Sequence, residues 1–437
     1  MKRESDFMNN KINLAAGLLL LGLLPFNTVS AAGFQISETS VTGLGRAFAG
    51  NGVVGDGLSD MFANPAGLML SEGRGIEAGA HVLFTSAEFE NQGSSQRLLT
   101  PAGPLTVPSR GAGDDGGGSA VVPNFYYAAD LGDGKRYGLA VISPFGLVTE
   151  YDDDWVGRYA AIKSELKTVE INPNFAMEIQ DNVSVGAGIS AVLADTTLSR
   201  AQFTGATTPD GLSEVSGDDV AFGFNLGIMI GDENGRVGIG YRSEVDLEAE
   251  GDLNITPLGV MAGASADVTL PQTLYISGFK RLNDKVDIMG TIRWTGWSSF
   301  EELRIQFDNG LPDAVTPENW DDSTAFSAGL DYHVNDQWTV RGGIGFDESP
   351  VADEFRTARI PDTDRTWLTV GGSYQASKKT RIDFGIAQIM TDDVPLNESV
   401  DLVSTMPGAA VDTVSGQYTD TDATIISVGV HISLGGR

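Results

Sequence analysis

Residues 33–67 read GFQISETSVTGLGRAFAGNGVVGDGLSDMFANPAG, and this stretch decides how the rest of the chain is interpreted. It is rich in Gly, Ala, Ser and Asn, and its apolar residues follow no clean period. Its apolar and polar residues alternate too irregularly for a β-strand, and it contains too much glycine for a stable helix. Its large apolar side chains, among them Phe34, Ile36, Phe48 and Phe62, do not suit a solvated tail. We therefore predict that the stretch is enclosed by the rest of the protein and ends at the turn Asn64-Pro65-Ala66.

Composition narrows the class of protein. The chain has 437 residues, 41% of them hydrophobic, with 55 glycines, no cysteine and a formal net charge of -31. The absence of cysteine excludes a disulfide framework and thiolate metal sites. The strong negative charge argues against nucleic acid and against an anionic membrane surface as partners.

The N-terminus has the features of a secretory signal peptide. Lys2 and Arg3 precede the apolar run 14–24, which is followed by the small residues Ser30, Ala31 and Ala32. This run is too short to span a bilayer, so we predict a signal peptide over residues 1–31. No later stretch approaches 18 uninterrupted apolar residues. A mature form in a membrane would therefore cross it as a closed β-barrel.

Turn signals predict about fourteen strands. Six short turns alternate with seven longer polar segments, which makes thirteen connections and an even strand number, as in bacterial barrels. The short turns are at 132–134, 181–182, 231–235, 283–284, 335–336 and 376–378, and the longer segments are at 91–119, 149–159, 200–218, 249–266, 304–322, 347–364 and 391–422. Short and long connections on opposite sides are typical of periplasmic turns and extracellular loops.

The strands alternate between apolar and small or polar residues, as in residues 220–230, 381–386 and 426–434. In this register Arg341 and Asp383 face the lumen. Trp294, Trp297, Trp338, Trp367, Tyr332 and Tyr374 lie near strand ends, where aromatic residues form interfacial girdles. A soluble, secreted all-β protein with one wet face remains an alternative, but the signal peptide and the long–short rhythm favour an all-β transmembrane antiparallel barrel. We assign residues 32–75 to a hatch that plugs its lumen and residues 76–437 to the barrel.

Several blocks of the sequence resemble one family. Gly33-Phe34-Gln35, Gly43 to Ala47 and Asn64-Pro65-Ala66 are similar to the hatch of FadL-type outer-membrane long-chain fatty acid transporters, which include aromatic hydrocarbon uptake porins. Further similar blocks are 240–244, 294–298, 346–350 and 360–362. The resemblance implies a monomer in the outer membrane of a Gram-negative bacterium, surrounded by lipid and lipopolysaccharide. It implies uptake of long-chain fatty acids or similar hydrophobic molecules by diffusion, with no cofactor. Uptake of aromatic or alkane hydrocarbons, which needs no cation for a carboxylate, is the alternative within transport.

The resemblance also implies a path for the substrate. In the family a hydrophobic capture groove forms from two loops, which correspond here to Arg200–Gly217 and to Gly251–Ala266. The second loop carries five apolar residues in a position expected to be wet: Leu253, Ile255, Leu258, Val260 and Met261. Exposed apolar patches usually mark binding surfaces, although packing against neighbouring loops remains an alternative. From the groove the substrate would reach a lumenal pocket under Phe34.

A fatty acid carboxylate needs a cation, and arginine offers a bidentate fork. Arg200 resembles the pocket arginine of the family by position, although a solvated arginine at a strand end is an open alternative. Some relatives add a lysine before the tenth strand, whereas this chain reads Thr316-Pro317-Glu318-Asn319-Trp320. Another cation must serve, or Arg200 acts alone.

The exit is predicted at Pro144, Phe145 and Gly146. Proline cannot donate a ladder hydrogen bond, and in a closed barrel it implies a local break in pairing. In the family this strand is kinked inward at the matching glycine, which opens a lateral window into the membrane. A simple bulge at the rim remains an alternative. If the window forms, the Asn64-Pro65-Ala66 turn should approach it.

No enzymatic motif is present. His81, His333 and His431 are far apart in the chain, and no nucleophile elbow, zinc-type His pair or P-loop occurs. An outer-membrane lipase with a spatially assembled triad, or a structural barrel, remains an alternative from another class. Acidic loops at 308–322 and 392–401 lack the ordered ligand spacing of calcium sites, so we predict a solvated face and no metal site. Binding of divalent cations that bridge lipopolysaccharide is the alternative for these loops.

Overall fold

The computed structural model describes residues 33–205, 207–403, 406 and 408–435. The predicted signal peptide lies outside the described residues. Short α-helices span Val41–Leu44 and Asp60–Ala63, and 3-10 helices span Pro65–Leu70 and Trp297–Ser299. The strands are β1 (Gly75–Thr85), β2 (Glu88–Asn91), β3 (Ser95–Thr100), β4 (Gly103–Pro108), β5 (Ser119–Gly132), β6 (Lys135–Ile142), β7 (Gly146–Glu150), β8 (Lys163–Gln180), β9 (Val183–Gln202), β10 (Gly211–Asp232), β11 (Gly235–Arg242), β12 (Val245–Thr256), β13 (Val260–Leu270), β14 (Thr273–Asn283), β15 (Val286–Thr295), β16 (Glu302–Phe307), β17 (Ala314–Pro317), β18 (Ser323–Asn335), β19 (Trp338–Asp347), β20 (Arg365–Ser377), β21 (Thr380–Thr391), β22 (Val394–Asp401), β23 (Ala410–Asp420) and β24 (Ala423–Ser433).

The main sheet closes on itself. β1 pairs with β5 on one side and with β24 on the other, from Gly75↔Ser433 to Thr85↔Ala423. The sheet contains 19 strands, and five positions of the wall are each occupied by two consecutive strands: β6/β7, β11/β12, β13/β14, β15/β16 and β17/β18. The prediction of a closed antiparallel barrel with fourteen wall positions is confirmed.

The outer surface of the wall is apolar, as the alternation predicts. On β10 every second residue from Val220 to Ile230 is between 36% and 75% exposed, a pattern that suits contact with lipid. Arg341 and Asp383 are buried and face the lumen. A slip of one residue would turn Arg341 to the bilayer at a cost of roughly 2–4 kcal/mol at the midplane, so the register is strongly specified.

The hatch lies inside this wall. It contacts strands around the barrel, including β1 through Glu77, β10 through Ile228, β18 through Asp331 and β20 through Gly371. The wall accepts it because glycines face the lumen at the contacts. A Cβ on Gly371 would lie 2.8 Å from the Cα of Gly45, and one on Gly240 would clash with the carbonyl oxygen of Ala63.

The predicted aromatic girdle is partly wrong. Trp297 and Trp367 are buried in the lumen rather than at a membrane interface. Trp297 packs against Phe34 and Trp367 packs against Phe48, because these aromatic rings gain more contact with the hatch than with lipid headgroups. Trp338 is 40% exposed and packs on Tyr374, with ring centroids 4.7 Å apart.

A second, five-stranded sheet covers the end of the barrel where the long connections lie. It is built from β2, β3 and β4 in one connection and β22 and β23 in another, with β23 at its centre. We call it the cap sheet. Its buried side packs Phe89, Leu396 and Tyr418 against Tyr151 and Trp155. The cap sheet therefore forms a roof over part of the lumen.

Candidate functional site

Phe34 lies in a cluster of aromatic side chains at the capped end of the hatch. Its ring centroid is 4.6 Å from that of Trp297, 5.6 Å from those of Phe300 and Trp320, and 6.2 Å from that of Phe145. The backbone N–H of Gly33 donates to Asp362 Oδ2 at 2.9 Å. The start of the hatch is therefore held at a fixed point under the loops.

An apolar cavity of about 110 Å³ lies beside Phe34, and we call it the inner cavity. Its lining is aliphatic and aromatic apart from a few polar groups, and it includes Leu147, Leu166, Leu247, Val268, Phe300, Ile305 and Ile360. The polar lining includes the ionisable side chains of Glu318 and Arg359. Such a cavity suits a hydrocarbon chain or ring, because apolar surface gains by leaving water.

A larger cavity of about 580 Å³, the outer cavity, lies between the barrel rim and the cap sheet. One side is apolar and includes Leu253, Ile255, Phe307 and Leu311. The other side is formed by residues 397–401 of β22 and by the loop 354–359. Arg200 and Arg359 both line it.

Arg359 lines both cavities and therefore marks the throat between them. Its guanidinium donates to the carbonyl of Lys163 and to Ser164 Oγ, both at 3.0 Å, which fixes its position. Burial, with the neighbouring Arg200 as second cause, lowers the pKa of Arg359 to about 10, so it remains a cation at neutral pH. Arg200 forms no side-chain hydrogen bond or ion pair with any residue in the described ranges. The throat thus presents two cations above an apolar cavity, and the carboxyl of Glu398, which also lines the outer cavity, attracts both of them.

Glu318 is the acidic group of the inner cavity. Its side chain is buried and Oε2 accepts a hydrogen bond from Trp320 Nε1 at 3.0 Å. Burial raises the pKa of Glu318 to about 8, assisted by the charge of Glu398. The carboxyl is therefore largely neutral at pH 7, which keeps a second negative charge away from any anion held by Arg359.

The structure brings together only some of the residues predicted for the capture groove. Arg200, Leu253 and Ile255 line the outer cavity, and Phe34 lines the inner one. Leu258 and Met261 are 56% and 75% exposed and line neither cavity. Val260 is half-buried but is also absent from both linings.

The reason is that the predicted loop 251–266 is mostly a β-hairpin. β12 and β13 pair from Val245↔Leu270 to Ile255↔Val260. Side chains of a strand alternate between two faces, so Leu253 points inward while Met261, opposite Asn254, points outward. The turn residue Leu258 lies beyond the rim.

The Asn64-Pro65-Ala66 turn does not lie beside Gly146, contrary to expectation. Asn64 Nδ2 donates to the carbonyl of Ile228 at 3.0 Å, and a Cβ on Gly186 would lie 2.6 Å from the backbone nitrogen of Ala66. The turn is therefore seated against β9 and β10, where wall glycines leave room for it. The segment that meets the strand break is the start of the hatch.

Pairing in the wall is interrupted at Pro144. The ladder between β5 and β6 ends at Phe125↔Val141, and residues 119–124 of β5 pair with β1 but with no residue of β7. Pro144 accepts instead from the N–H of Ile36 at 2.8 Å, and Gly146 donates to the carbonyl of Phe34 at 2.9 Å. Phe145 is buried within the Phe34 cluster. The strand thus bends inward and is bonded to the hatch.

Sequence reasoning missed Arg359, Glu318 and the tryptophans around Phe34. Arg359 directly precedes the block Ile360-Pro361-Asp362, whose resemblance to the family was the available signal. No local pattern marks Trp297 or Trp320 as neighbours of Phe34, because the three residues meet only in the folded barrel.

Among the described residues, a carboxylate–histidine–hydroxyl arrangement occurs at His333, whose Nε2 lies 2.9 Å from Asp287 Oδ2 and whose Nδ1 lies 3.2 Å from Thr339 Oγ1, but His333 lines neither cavity. His81 Nδ1 lies 2.6 Å from Ser427 Oγ, but Nε2 faces Asn124 Nδ2 at 2.8 Å instead of a carboxylate. No group of His, Asp and Glu in these ranges is arranged to hold a metal ion. In the same ranges, no helix is long and apolar enough to cross a membrane.

Comparison with known proteins decides the family. Residues 24–433 match the model described as outer membrane protein transport protein (OMPP1/FadL/TodX). The chain belongs to the OMPP1/FadL/TodX family. It is 30% identical over 407 residues to the long-chain fatty acid transport protein of Escherichia coli O6:H1, covering 84% of this chain and 89% of that protein. It is 32% identical over 394 residues to the 47 kDa outer membrane protein of Pasteurella multocida, covering 83% and 88%.

Solved structures share the fold of this FadL-family chain. A Pseudomonas aeruginosa FadL homologue superimposes with a TM-score of 0.82 at 22% identity, over 92% of this chain and 100% of that one. The toluene transporter TodX of P. putida gives a TM-score of 0.66 at 18% identity, over 87% and 95%. The protein is thus an outer-membrane barrel of a family that transports hydrophobic molecules, and it is not an enzyme.

Proposed function

We propose that this FadL-family member takes up long-chain fatty acids, with the carboxylate held at the throat and the tail in the inner cavity. The observation that carries the proposal is the position of Arg359 and Arg200 at the junction of a mixed outer cavity and an apolar inner one. A neutral hydrocarbon needs no cation, whereas a carboxylate in a partly dry site is unstable without one. Binding of oleate and of tetradecane to the purified protein tests the proposal, and oleate must bind more tightly.

The path begins in the outer cavity at Arg200, Leu253 and Ile255 and continues to the inner cavity at Phe34. Leu258, Val260 and Met261 stay outside this path. We propose that the hatch, residues 32–75, blocks the lumen below, with Asn64, Pro65 and Ala66 seated on the wall. The substrate then leaves sideways at Pro144, Phe145 and Gly146, because a hydrophobic molecule gains by entering lipid without crossing water.

Gly146→Trp is expected to slow oleate uptake strongly without unfolding the barrel. Gly146 is buried at the break, where residues 119–124 of β5 pair with no residue of β7, so a bulky side chain there would fill space that the exit needs. Uptake of labelled oleate by cells, with surface expression as the folding control, measures the effect. A folded Gly146→Trp protein with the parent rate would place the exit elsewhere. Gly342→Trp, on the far wall at β19, is the matched control.

Oleate binding is expected to weaken as the pH rises through the pKa of Glu318, about 8. The folded-state pKa is raised, so Glu318 is neutral below that pH and becomes an anion above it, next to the bound carboxylate. Between about pH 6.5 and about pH 9 the affinity should fall by roughly threefold to tenfold, the scale of one like charge in a partly desolvated site. Equilibrium binding at several pH values measures this, and Glu318→Gln should make the dependence clearly smaller, leaving only the part that comes from Glu398 and Arg359. A parent protein with a flat profile would contradict the role given to Glu318.

A further inference from the structure

The inner cavity is a poor environment for a charged head group. Among the described residues, its ionisable lining is limited to Glu318 and Arg359, and the rest is mainly aliphatic and aromatic. The Phe34 cluster beyond it is apolar as well. An unpaired carboxylate is strongly disfavoured in such surroundings, whereas the neutral acid is tolerated. A fatty acid therefore has to lose its charge before its head group leaves Arg359.

The source of a proton decides how fast this can happen. A carboxyl group with an ordinary pKa of about 4.3 is neutral in roughly one molecule in 500 at pH 7. Burial raises the pKa of a carboxyl group by up to about three to five pKa units, because the charged form is disfavoured away from water. A fatty acid that enters the inner cavity thus binds a proton at neutral pH when a donor is within reach. Such a donor works best when its own pKa lies near the operating pH.

Glu318 lies where this donor is needed. It lines the inner cavity together with Arg359, and it directly follows Thr316 and Pro317, which line the outer cavity. Only 3% of the residue is exposed. Its Oε2 accepts from Trp320 Nε1 at 3.0 Å, and Oε1 has no hydrogen-bond partner among the residues that the structure describes. One oxygen of the carboxyl group is therefore free to exchange a proton with a ligand in the cavity.

The groups around Glu318 favour its neutral form when no ligand is bound. Burial is the main cause that raises the pKa of Glu318 to about 8, and the charge of Glu398 acts in the same direction. The hydrogen bond from Trp320 and the charge of Arg359 act against it. Arg200 is the second cation near Arg359. Glu318 is thus mostly protonated at pH 7, and Trp320 and Arg359 are in place to stabilise its anion once the proton has left.

We propose that Glu318 donates a proton to the carboxylate of the bound fatty acid, which then moves from the throat into the inner cavity as a neutral acid. The inference rests on the proposed function, because only a ligand with a carboxylate needs this proton. The O–H bond of Glu318 breaks as an O–H bond forms on the substrate, so the negative charge passes from the substrate to Glu318. Arg359, released by the substrate, then compensates this charge. A proton from the external medium, entering through the outer cavity, restores Glu318.

Glu318→Gln separates binding from transport. The amide oxygen can still accept from Trp320, but the side chain has no acidic proton. Purified Glu318→Gln is expected to bind oleate at pH 7 within about twofold of the parent. Uptake of labelled oleate, at saturating concentration and equal surface expression, is expected to fall roughly tenfold or more, although oleate can still take a proton from water.

Two controls accompany this variant. Labelled oleyl alcohol has the same tail and no carboxylate, so its uptake should be the same in Glu318→Gln and in the parent. Glu302→Gln carries the same substitution on β16, outside both cavities, and should take up oleate like the parent.

Acid is expected to rescue Glu318→Gln. Lowering the pH from 7 to 5.5 raises the neutral fraction of a carboxyl group of ordinary pKa by roughly thirtyfold, so oleate then arrives with its own proton. Uptake by the variant should approach that of the parent at pH 5.5. In the parent, saturating oleate uptake should fall between about pH 7 and about pH 9 as Glu318 loses its proton, while oleyl alcohol uptake stays level. This parent profile decides the proposal even if Glu318→Gln does not fold.

Several results would overturn the proton step. They are parent-like oleate uptake by Glu318→Gln at pH 7, an equal loss of oleate and oleyl alcohol, no rescue at pH 5.5, or a flat parent profile for oleate. If the parent binds and takes up oleate in such a case, the proposed function stands and the proton step alone fails. If the parent takes up oleyl alcohol but neither binds nor takes up oleate, the proposed function fails and the proton step fails with it.

Discussion

Deleting residues 33–67 is expected to convert the closed barrel into an ion-conducting pore. The hatch contacts the lumenal side of strands around the wall, and a barrel of fourteen wall strands is too wide to be filled by its own side chains. Removal exposes a lumen lined by charged groups such as Asp331 and Arg341, which would attract water and ions. Conductance in planar bilayers should rise from near zero to that of an open channel.

The hatch is held in the lumen by buried ion pairs. Weakening these ion pairs gives a milder variant to compare with the deletion of residues 33–67. Arg46 pairs with Asp56 at 2.8 Å within the hatch and with Asp331 of β18 at 3.1 Å. Arg341 of β19 reaches Asp56 at 3.0 Å. Arg46→Ala leaves Asp331 and Asp56 with less compensation, so it should give brief openings rather than a permanent pore. Folding of the deletion variant is checked by its heat-modifiable mobility in gel electrophoresis. A folded deletion variant that conducts no more than the parent would contradict the interpretation of the hatch as a plug.

Replacing Arg200 with alanine is expected to weaken oleate binding by roughly tenfold or more, the scale of a lost charge-assisted hydrogen bond. Arg200 has no competing side-chain partner in the described ranges, so its removal should leave the fold intact. Replacing Arg359 as well removes the second cation of the throat. The double variant should lose up to roughly a further tenfold, if each arginine contributes separately. Displacement of a fluorescent fatty acid from purified protein measures both.

Tetradecane and Arg304 provide the controls for this experiment. A neutral alkane has no head group for the throat, so its binding should change little in either variant. Arg304 lies on β16, where its partners are Glu302 and Asp313 at 2.7 and 2.9 Å, and it is absent from the throat. Arg304→Ala should bind oleate like the parent. Equal loss of oleate and tetradecane in Arg200→Ala would make Arg200 structural, and no loss of either would remove it from the site.

Much of the architecture could be predicted because its determinants are local. Turn residues such as Asp133 and Asn182 occupy positive φ angles at the short turns, and period-two alternation sets which face meets lipid. Predictions from local sequence were wrong where tertiary contacts determined the conformation. The apolar stretch 253–261 suggests a loop exposed to ligand, but pairing of β12 with β13 continues to Ile255↔Val260 and divides it into an inner and an outer face.

The site was less predictable because it is assembled from distant segments. Arg200 is suggested by its resemblance in position to the pocket arginine of the family, whereas Arg359 lies in a loop whose path depends on contacts with Lys163 and Ser164. Trp297 looked interfacial by its place near the end of β15, yet the bend that follows turns it toward Phe34. A single sequence shows neither the bend after β15 nor the contact of Trp297 with Phe34, because both depend on how the closed wall surrounds the hatch.

The most direct test of the central claim is uptake of labelled oleate and labelled toluene, measured side by side in a bacterial host that lacks its own transporter. Cells with the parent protein, Arg200→Ala and Arg304→Ala are compared at equal surface expression. The account predicts rapid oleate uptake in the parent and in Arg304→Ala, a marked loss in Arg200→Ala, and much slower toluene uptake in all three. Toluene uptake that matches or exceeds that of oleate, with no effect of Arg200→Ala on either, would contradict it.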